Sequence, residues 1–471
     1  MDDLLVILPA TFLTGILAVL FELSWRKQLI PQWLARKFLH ITAVGACAIV
    51  PLYLSSLQLL SYLVLGFEII LVYVVGSGKL FAETEGRKSW GIALFPIPYL
   101  VLLILFENER ILIFLPMIIL AISDALACIL GTVAAKKHFN LSGDKKSIIG
   151  SSAFFVTALV LLMSFWNYSE INLEFIIICS IISMVLSILE ALGSKGRDNL
   201  LVPSGAALLI YIEMHHPFAI SEYLFLIASL VIFVFAVLKM RWLEISGALS
   251  AALLGFFVWR FAGWLFLVPL AWFLLSSSLI GRLLKSSHDS GFEKKHGKAR
   301  DWVQVLSNSW LFLLLAILVG ILPEFSDSII PKLYAVMAIA TADTWASEIG
   351  GKLSNNVVYL YNFKKHPKGI SGGLSLSGTL AGLAGAMSTA LIAYIFGHAE
   401  NLNEILLITI IGFSGMLFDS ILAAFLQQRH HNSKLNIYSD EARESFIYEK
   451  GYRILTNDQV NLISICLALV I

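Results

Sequence analysis

Apolar runs of roughly 17–25 residues, broken by short polar stretches, recur along the whole chain. A bilayer-spanning helix needs about 20 mostly apolar residues, so the pattern predicts about fifteen or sixteen spanning segments. They cover 4–23, 38–55, 57–76, 91–106, 111–132, 149–166, 172–191, 199–214 and 218–237. They continue at 244–261, 263–281, 308–322, 330–349, 372–397, 404–426 and 458–471, the last being short. The expected fold is an all-α, polytopic integral membrane protein.

Charge follows the same alternation. Apart from Arg110, Arg260 and Lys332, every Lys and Arg falls in a loop after an odd-numbered segment. The positive-inside rule puts those loops in the cytoplasm and the acidic N-terminus outside. A composition of 58% hydrophobic and 14% charged residues, with mean hydropathy +0.84, excludes a soluble globular domain. The net charge of +1 gives no sign of a nucleic-acid partner. Cys47, Cys128, Cys179 and Cys466 lie in apolar segments without paired spacing, as packed thiols do. No organellar presequence or cleavable signal is evident, so a bacterial inner membrane is the expected location. The Lys239-Met-Arg241 loop divides the chain into expected domains 1–240 and 241–471.

One acidic constellation occurs twice. Asp124 lies in Ser-Asp124-Ala-Leu-Ala127-Cys-Ile-Leu-Gly131, and Asp343 in Ala-Asp343-Thr-Trp-Ala346-Ser347-Glu348-Ile-Gly350. A carboxylate at mid-membrane costs about 2.5–3.5 kcal/mol, so such acids are usually functional. Each is followed by a Lys/Ser/Gly loop: Lys145-Lys146-Ser147-Ile-Ile-Gly150-Ser151 in the first half, Lys368-Gly369-Ile-Ser371-Gly372-Gly373 in the second. A further aspartate comes 74 residues after the first (Asp198) and 76 after the second (Asp419). The repetition reads as two phosphate-handling sites on related scaffolds.

In the first half, Ser147 to Ser151 open a helix whose free N–H groups, beside Lys145 and Lys146, form an anion site. Arg36-Lys37-Phe-Leu-His40 and Gly86-Arg87-Lys88 sit at predicted interfaces, where each alone also reads as a snorkelling anchor. Glu190, Asp198 and Asn199 supply hard oxygen donors of the kind Mg²⁺ prefers, although Asp198-Asn199 alone could be a helix cap. Together these elements, with Pro203, resemble the dolichol kinase and phytol kinase family over roughly residues 30–215. The resemblance implies CTP as donor, Mg²⁺ dependence and a prenyl alcohol acceptor. It departs from the family where Ile149 stands before Gly150-Ser151, a place where many relatives carry an acidic residue.

In the second half, Gln304 and Asn308 share a helix face, as do Asp343 and Ser347, with Glu348 adjacent. Gly369 to Thr379 is rich in Gly and Ser and lies beside Lys364, Lys365 and Lys368. Its backbone could cradle phosphates. Asp419 follows within a helix ending at Gln427, and Asn457 and Asn461 share a face of the last segment. From about residue 244 onward these elements resemble the phytyl-phosphate kinase family with its transmembrane-protein-nineteen type domain, with Ala-Ala-Phe before Leu426-Gln427 a small departure. That resemblance implies transfer of a second phosphoryl group onto a prenyl monophosphate.

The expected activity is therefore two-step phosphorylation of a prenyl alcohol to its monophosphate and then its diphosphate. Candidate catalytic residues are Asp124, Lys146, Asp343 and Lys368, with metal ligands Asp124, Glu190, Asp198, Asp343, Glu348 and Asp419. Phosphate or nucleotide contacts are expected at Arg36, His40, Arg87, Lys145, Ser147, Gly150, Ser151 and Asn199. In the second half they are expected at Arg300, Gln304, Asn308, Ser347, Ser371, Gly372, Gly373, Ser375, Asn457 and Asn461. Two other readings use similar features: a CTP-dependent cytidylyltransferase of the CDP-diacylglycerol synthase type, and an ion-coupled transporter. The acidic Lys-Asp…Asp-Arg-x-Asp signature of the first is not seen, and most of the polar clusters are expected at one membrane face rather than near the midplane that the second favours.

Overall fold

The computed structural model describes all residues except 1–2, 77–90, 135–136, 167–170, 285–298, 355, 368–370, 433–436, 440–445, 453–454 and 471. Each of the sixteen apolar segments coincides with helix. Among the described residues, eleven helices are long and apolar enough to cross a membrane. The segment 91–106 is interrupted, giving α4 (Gly91–Leu94) and α5 (Pro96–Leu105). Pro96 supplies the fixed φ suited to opening α5 but cannot donate back into α4. The last segment is α17 (Asn457–Ser464) followed by a 3-10 stretch to Val470.

The chain forms two compact units, Met1–Leu224 and Phe225–Ile471. In the first, α6 (Ile111–Val133) is the central helix, with Leu112, Ile113, Leu115, Met117, Ile119 and Leu120 fully buried. It packs against α2 (Gln32–Ile49), α7 (Ile148–Phe165) and α9 (Asp198–His215). Outer helices show the inverse pattern. On α1 (Leu4–Arg26), Leu5 and Phe12 are about two-thirds exposed or more (66% and 72%). Such faces suit lipid, where helices satisfy their own backbone polar groups and apolar side chains need no other cover.

In the second unit the central helix is α14 (Ser326–Leu353), buried continuously from Leu333 to Ala342. It packs against α13 (Trp302–Ile321), α15 (Leu376–Ile395) and α16 (Leu402–Phe425). Small residues make that contact: a Cβ added at Gly412 would meet Ala338 at 2.6 Å, and one at Gly385 would meet Thr341 O at 3.1 Å. Without water to drive association, close backbone approach of this kind supplies the packing energy.

The polar loops at the basic end of each unit carry short antiparallel strands that apolar periodicity does not reveal. In the first unit, β1 (His138–Asn140) pairs with β2 (Lys145–Ser147) between α6 and α7. In the second, β3 (Asn356–Tyr359), β4 (Lys364–Pro367) and β5 (Gly373–Leu374) form a sheet ordered β4-β3-β5 between α14 and α15. A sheet ordered β7-β6-β8, made of β6 (Arg429–Asn432), β7 (Ile437–Ser439) and β8 (Ile447–Lys450), lies between α16 and α17.

Candidate active site

Asp124 sits in the second half of α6 and is 6% exposed. Lys37 on α2 donates to its Oδ2 at 2.7 Å. His40, one turn further along α2, brings Nε2 to 3.5 Å from the same oxygen and 3.3 Å from Leu120 O. Arg36 points away and is exposed. The basic residue that meets the buried acid is thus Lys37, whereas Arg36, expected as a phosphate contact, is exposed. Both 36 and 37 lie about one turn from His40, so spacing alone does not choose between them.

Two further acids come from separate elements. Glu190 lies near the end of α8 (Leu173–Leu192), and Asp198 opens α9. The turn between them is held by the β1–β2 hairpin: Ser142 donates to Leu192 O at 2.7 Å, Ser194 donates to Ser142 O at 2.7 Å, and Lys195 N donates to Asp144 at 2.6 Å. Lys195 adopts φ +56°, and a side chain at Gly193 would collide with Asp198 N at 2.6 Å. So braced, the hairpin presents Lys146, whose ammonium contacts Glu190 closely and lies 3.6 Å from Asp198 Oδ2. Burial alone would lower the Lys146 pKa, but the Glu190 and Asp198 carboxylates outweigh it and hold the pKa above the ordinary lysine value.

Ligand oxygens of Asp124, Glu190 and Asp198 all lie within 4.8 Å of one another, the one such group of three acidic, His or Cys side chains among the described residues. Oxygens around a Mg²⁺ ion sit about 2.1 Å from it, hence up to about 4.2 Å apart. The trio therefore fits a hard divalent cation after a small closure. Beside it, Ser147 caps α7 by accepting from Gly150 N at 3.1 Å. Gly131 and Gly150 let the helices touch: a Cβ on Gly131 would meet Ser147 Oγ at 2.8 Å, and one on Gly150 would meet Ala127 O at 2.8 Å. Ser151 keeps a buried hydroxyl with no described partner. Asn199 donates to Gly91 O at 2.9 Å and Lys145 is exposed. Arg87 lies outside the described residues.

The second unit repeats the helix–cap geometry. Ser375 caps α15 by accepting from Gly378 N at 3.1 Å. A Cβ on Gly350 would meet Ser375 Oγ at 3.0 Å, and one on Gly378 would meet Ala346 O at 3.0 Å. Asp343, Ala346 and Gly350 thus stand to Ser375 and Gly378 as Asp124, Ala127 and Gly131 stand to Ser147 and Gly150. Chain order then aligns α8 with α16 and α9 with α17. The counterpart of Asp419 is Glu190, not Asp198, whose similar sequence spacing suggests otherwise. α14 and α16 run in the same direction, with Ala338 against Gly412 and Ile339 against Gly415. One helical turn on, Asp343 and Asp419 reach the same level.

The surrounding groups differ. Asp419, 5% exposed, accepts from Ser464 Oγ at 2.9 Å. The Asn461 amide lies 3.1 Å from the same Oδ2 and 3.2 Å from Asn308, and it adjoins Asn457. Gln304 uses its backbone carbonyl to accept from Asn308 at 2.8 Å. Arg300 lies over the Phe273 ring at 5.4 Å, and a Cβ added at Gly281 would meet Glu348 at 3.5 Å, so both border α12 (Leu267–Leu283). Ser347 is exposed. Asp343, Glu348 and Asp419 do not form a tight trio of the Asp124 kind. Ser371 meets Gln427 Nε2 at 3.4 Å, Gly373 pairs with Tyr359, and Gly372 adopts φ +79° where a side chain would strike Ala424 at 2.6 Å. Lys368 lies outside the described residues.

No solved structure matches the chain. The plant protein named PGR, from Arabidopsis thaliana, is 30% identical over 258 residues, 49% of this chain and 87% of that protein. A protein named VTE6, chloroplastic, from the same plant is 25% identical over 235 residues, 49% of this chain and 64% of its own length. A protein named phytol kinase from Synechocystis sp. is 25% identical over 215 residues, 43% of this chain and 89% of its own. Residues 228–469 match the family described as integral membrane protein DUF92, and the chain belongs to that family.

Proposed function

We propose that the chain is a membrane phosphotransferase that phosphorylates a prenyl alcohol to its monophosphate and then to its diphosphate, with a nucleoside triphosphate, CTP by preference, as donor. One observation carries the reading: three buried or half-buried carboxylates from three helices, Asp124, Glu190 and Asp198, converge with Lys37 and Lys146 beside a capped helix N-terminus. Phosphoryl transfer asks mainly for positioning and charge neutralisation. This arrangement supplies both at the basic end of a lipid-facing bundle, where a soluble nucleotide can meet a lipid. The name phytol kinase borne by one relative supports the same substrate class.

In the first unit, Asp124, Glu190 and Asp198 would hold Mg²⁺, which would neutralise donor phosphate charge and orient the transferred group. Lys37 and Lys146, released from their carboxylates, would bind phosphate oxygens. The α7 N-terminus would hold the remaining charge. His40 would help hold the Asp124 carboxylate, from which its Nε2 lies 3.5 Å. The second unit would use Asp343 and Asp419 on the same helix plan, with the α15 N-terminus as phosphate seat, to extend the monophosphate. Each unit would be one enzyme domain, acting at the cytoplasmic face.

Purified chain incubated with Mg²⁺, a C15–C20 prenyl alcohol and γ-labelled CTP or ATP should yield labelled mono- and diphosphate. Label absent from every lipid, with α-labelled CTP giving a CDP-lipid instead, would replace the reading with cytidylyl transfer.

A further inference from the structure

Asp419 and its counterpart Glu190 are both buried acids near the end of equivalent helices, but they are held differently. Glu190 is held by a cation, Lys146. Asp419 is held by neutral donors carried on α17, and both converge on one oxygen. Ser464 Oγ donates to Oδ2 at 2.9 Å. Asn461, in the amide orientation its partners require, donates to the same Oδ2 at 3.1 Å and to Asn457 O at 3.1 Å. Ser464 is 2% exposed and Asn461 8%, so neither is a solvent-facing side chain that merely swings past. Among the described residues no partner falls on Oδ1. Asp419 is thereby fixed about its side-chain torsions with one oxygen engaged and the other left for chemistry. Groups that orient a ligating carboxylate commonly matter almost as much as the carboxylate itself.

We propose that Asn461 and Ser464 are positioning residues of the second unit, doing for Asp419 with neutral donors what Lys146 does for Glu190. Asn461 then does not contact phosphate directly, as its sequence position suggested; it acts through Asp419. The difference has a chemical consequence. Glu190 has its counter-charge in Lys146, whereas the described donors to Asp419 are neutral and leave charge compensation to a divalent cation. Such a cation is needed more when the acceptor itself arrives as a monophosphate. This inference rests on the two-step reading above.

The test uses the full-length chain with Ser464→Ala, Ser464→Thr and Asn461→Leu. Two quantities are read: kcat and KM for monophosphate phosphorylation, and Mn²⁺ binding by electron paramagnetic resonance in an Asp124→Asn background that silences the first site. The expected result is a fall of about tenfold or more in kcat and in Mn²⁺ affinity for Ser464→Ala and Asn461→Leu. The KM for nucleotide should stay within about threefold, and Ser464→Thr, which keeps the hydroxyl, should recover most of the parent's values. Alcohol phosphorylation, retained in the variants that keep Asp124, reports that the chain is folded and inserted. If the parent is active but Ser464→Ala and Asn461→Leu lose only KM for the prenyl monophosphate, with Mn²⁺ binding intact, the residues touch substrate and the positioning role is overturned. A parent that phosphorylates the alcohol but no monophosphate overturns the second-unit reading itself, and this inference with it.

Discussion

Removing the Lys37 ammonium would leave the Asp124 carboxylate buried, with the His40 ring at 3.5 Å as its nearest remaining described partner. Breaking a buried pair from one side commonly costs about 3–5 kcal/mol, and the low end is expected because Lys37 is 22% exposed. Lys37→Met should therefore lower both stability and alcohol phosphorylation. Arg36→Met, one residue away but exposed, should leave both within a few-fold of the parent. Adding Asp124→Asn to Lys37→Met should restore stability, read by thermal unfolding in detergent, but not activity. Loss of activity in Arg36→Met equal to that in Lys37→Met would refute the assigned contact. The sequence shows that a basic pair precedes α2. It does not show which member faces inward, because that depends on helix phase relative to α6, a tertiary property. The acids were easier to find: Asp124, Asp343 and Asp419 stand out because their neighbours are apolar, whereas Lys146 and Asp198 sit in polar turns where any charged residue is unremarkable.

At the scale of elements, the paired contacts of α6 with α7 and of α14 with α15 make matched predictions. Gly150→Ala would push a methyl to 2.8 Å from Ala127 O, and Gly378→Ala one to 3.0 Å from Ala346 O. Each should impair the reaction of its own unit by separating the acid helix from the capped N-terminus. Gly45→Ala, where a Cβ meets nothing within 4 Å, should be neutral or stabilising by up to about 1 kcal/mol. Ser147→Ala and Ser375→Ala remove N-caps and should each cost about 0.5–2 kcal/mol, read as lowered unfolding temperature. The long helices were legible because a lipid solvent demands unbroken apolar runs of a set length. The strands β1 to β8 were not: they are two to four residues long, lie in charged loops and are held by tertiary braces such as Ser194 on Ser142. The equivalence of Glu190 with Asp419 was hidden for a related reason. The loop after α8 is five residues, whereas that after α16 contains a sheet, so similar sequence spacing does not mean equivalent position.

At the scale of the whole molecule, the two units each present an acid helix against a capped helix N-terminus, and each unit would carry out one phosphoryl transfer. The central claim is that these transfers are separable within one chain. The most direct measurement compares the parent with Asp124→Asn and Asp343→Asn, supplying prenyl alcohol and prenyl monophosphate separately with labelled nucleotide. Asp124→Asn should make no monophosphate but still convert supplied monophosphate to diphosphate, while Asp343→Asn should stop at the monophosphate. Equal loss of both conversions in either variant would contradict independent sites.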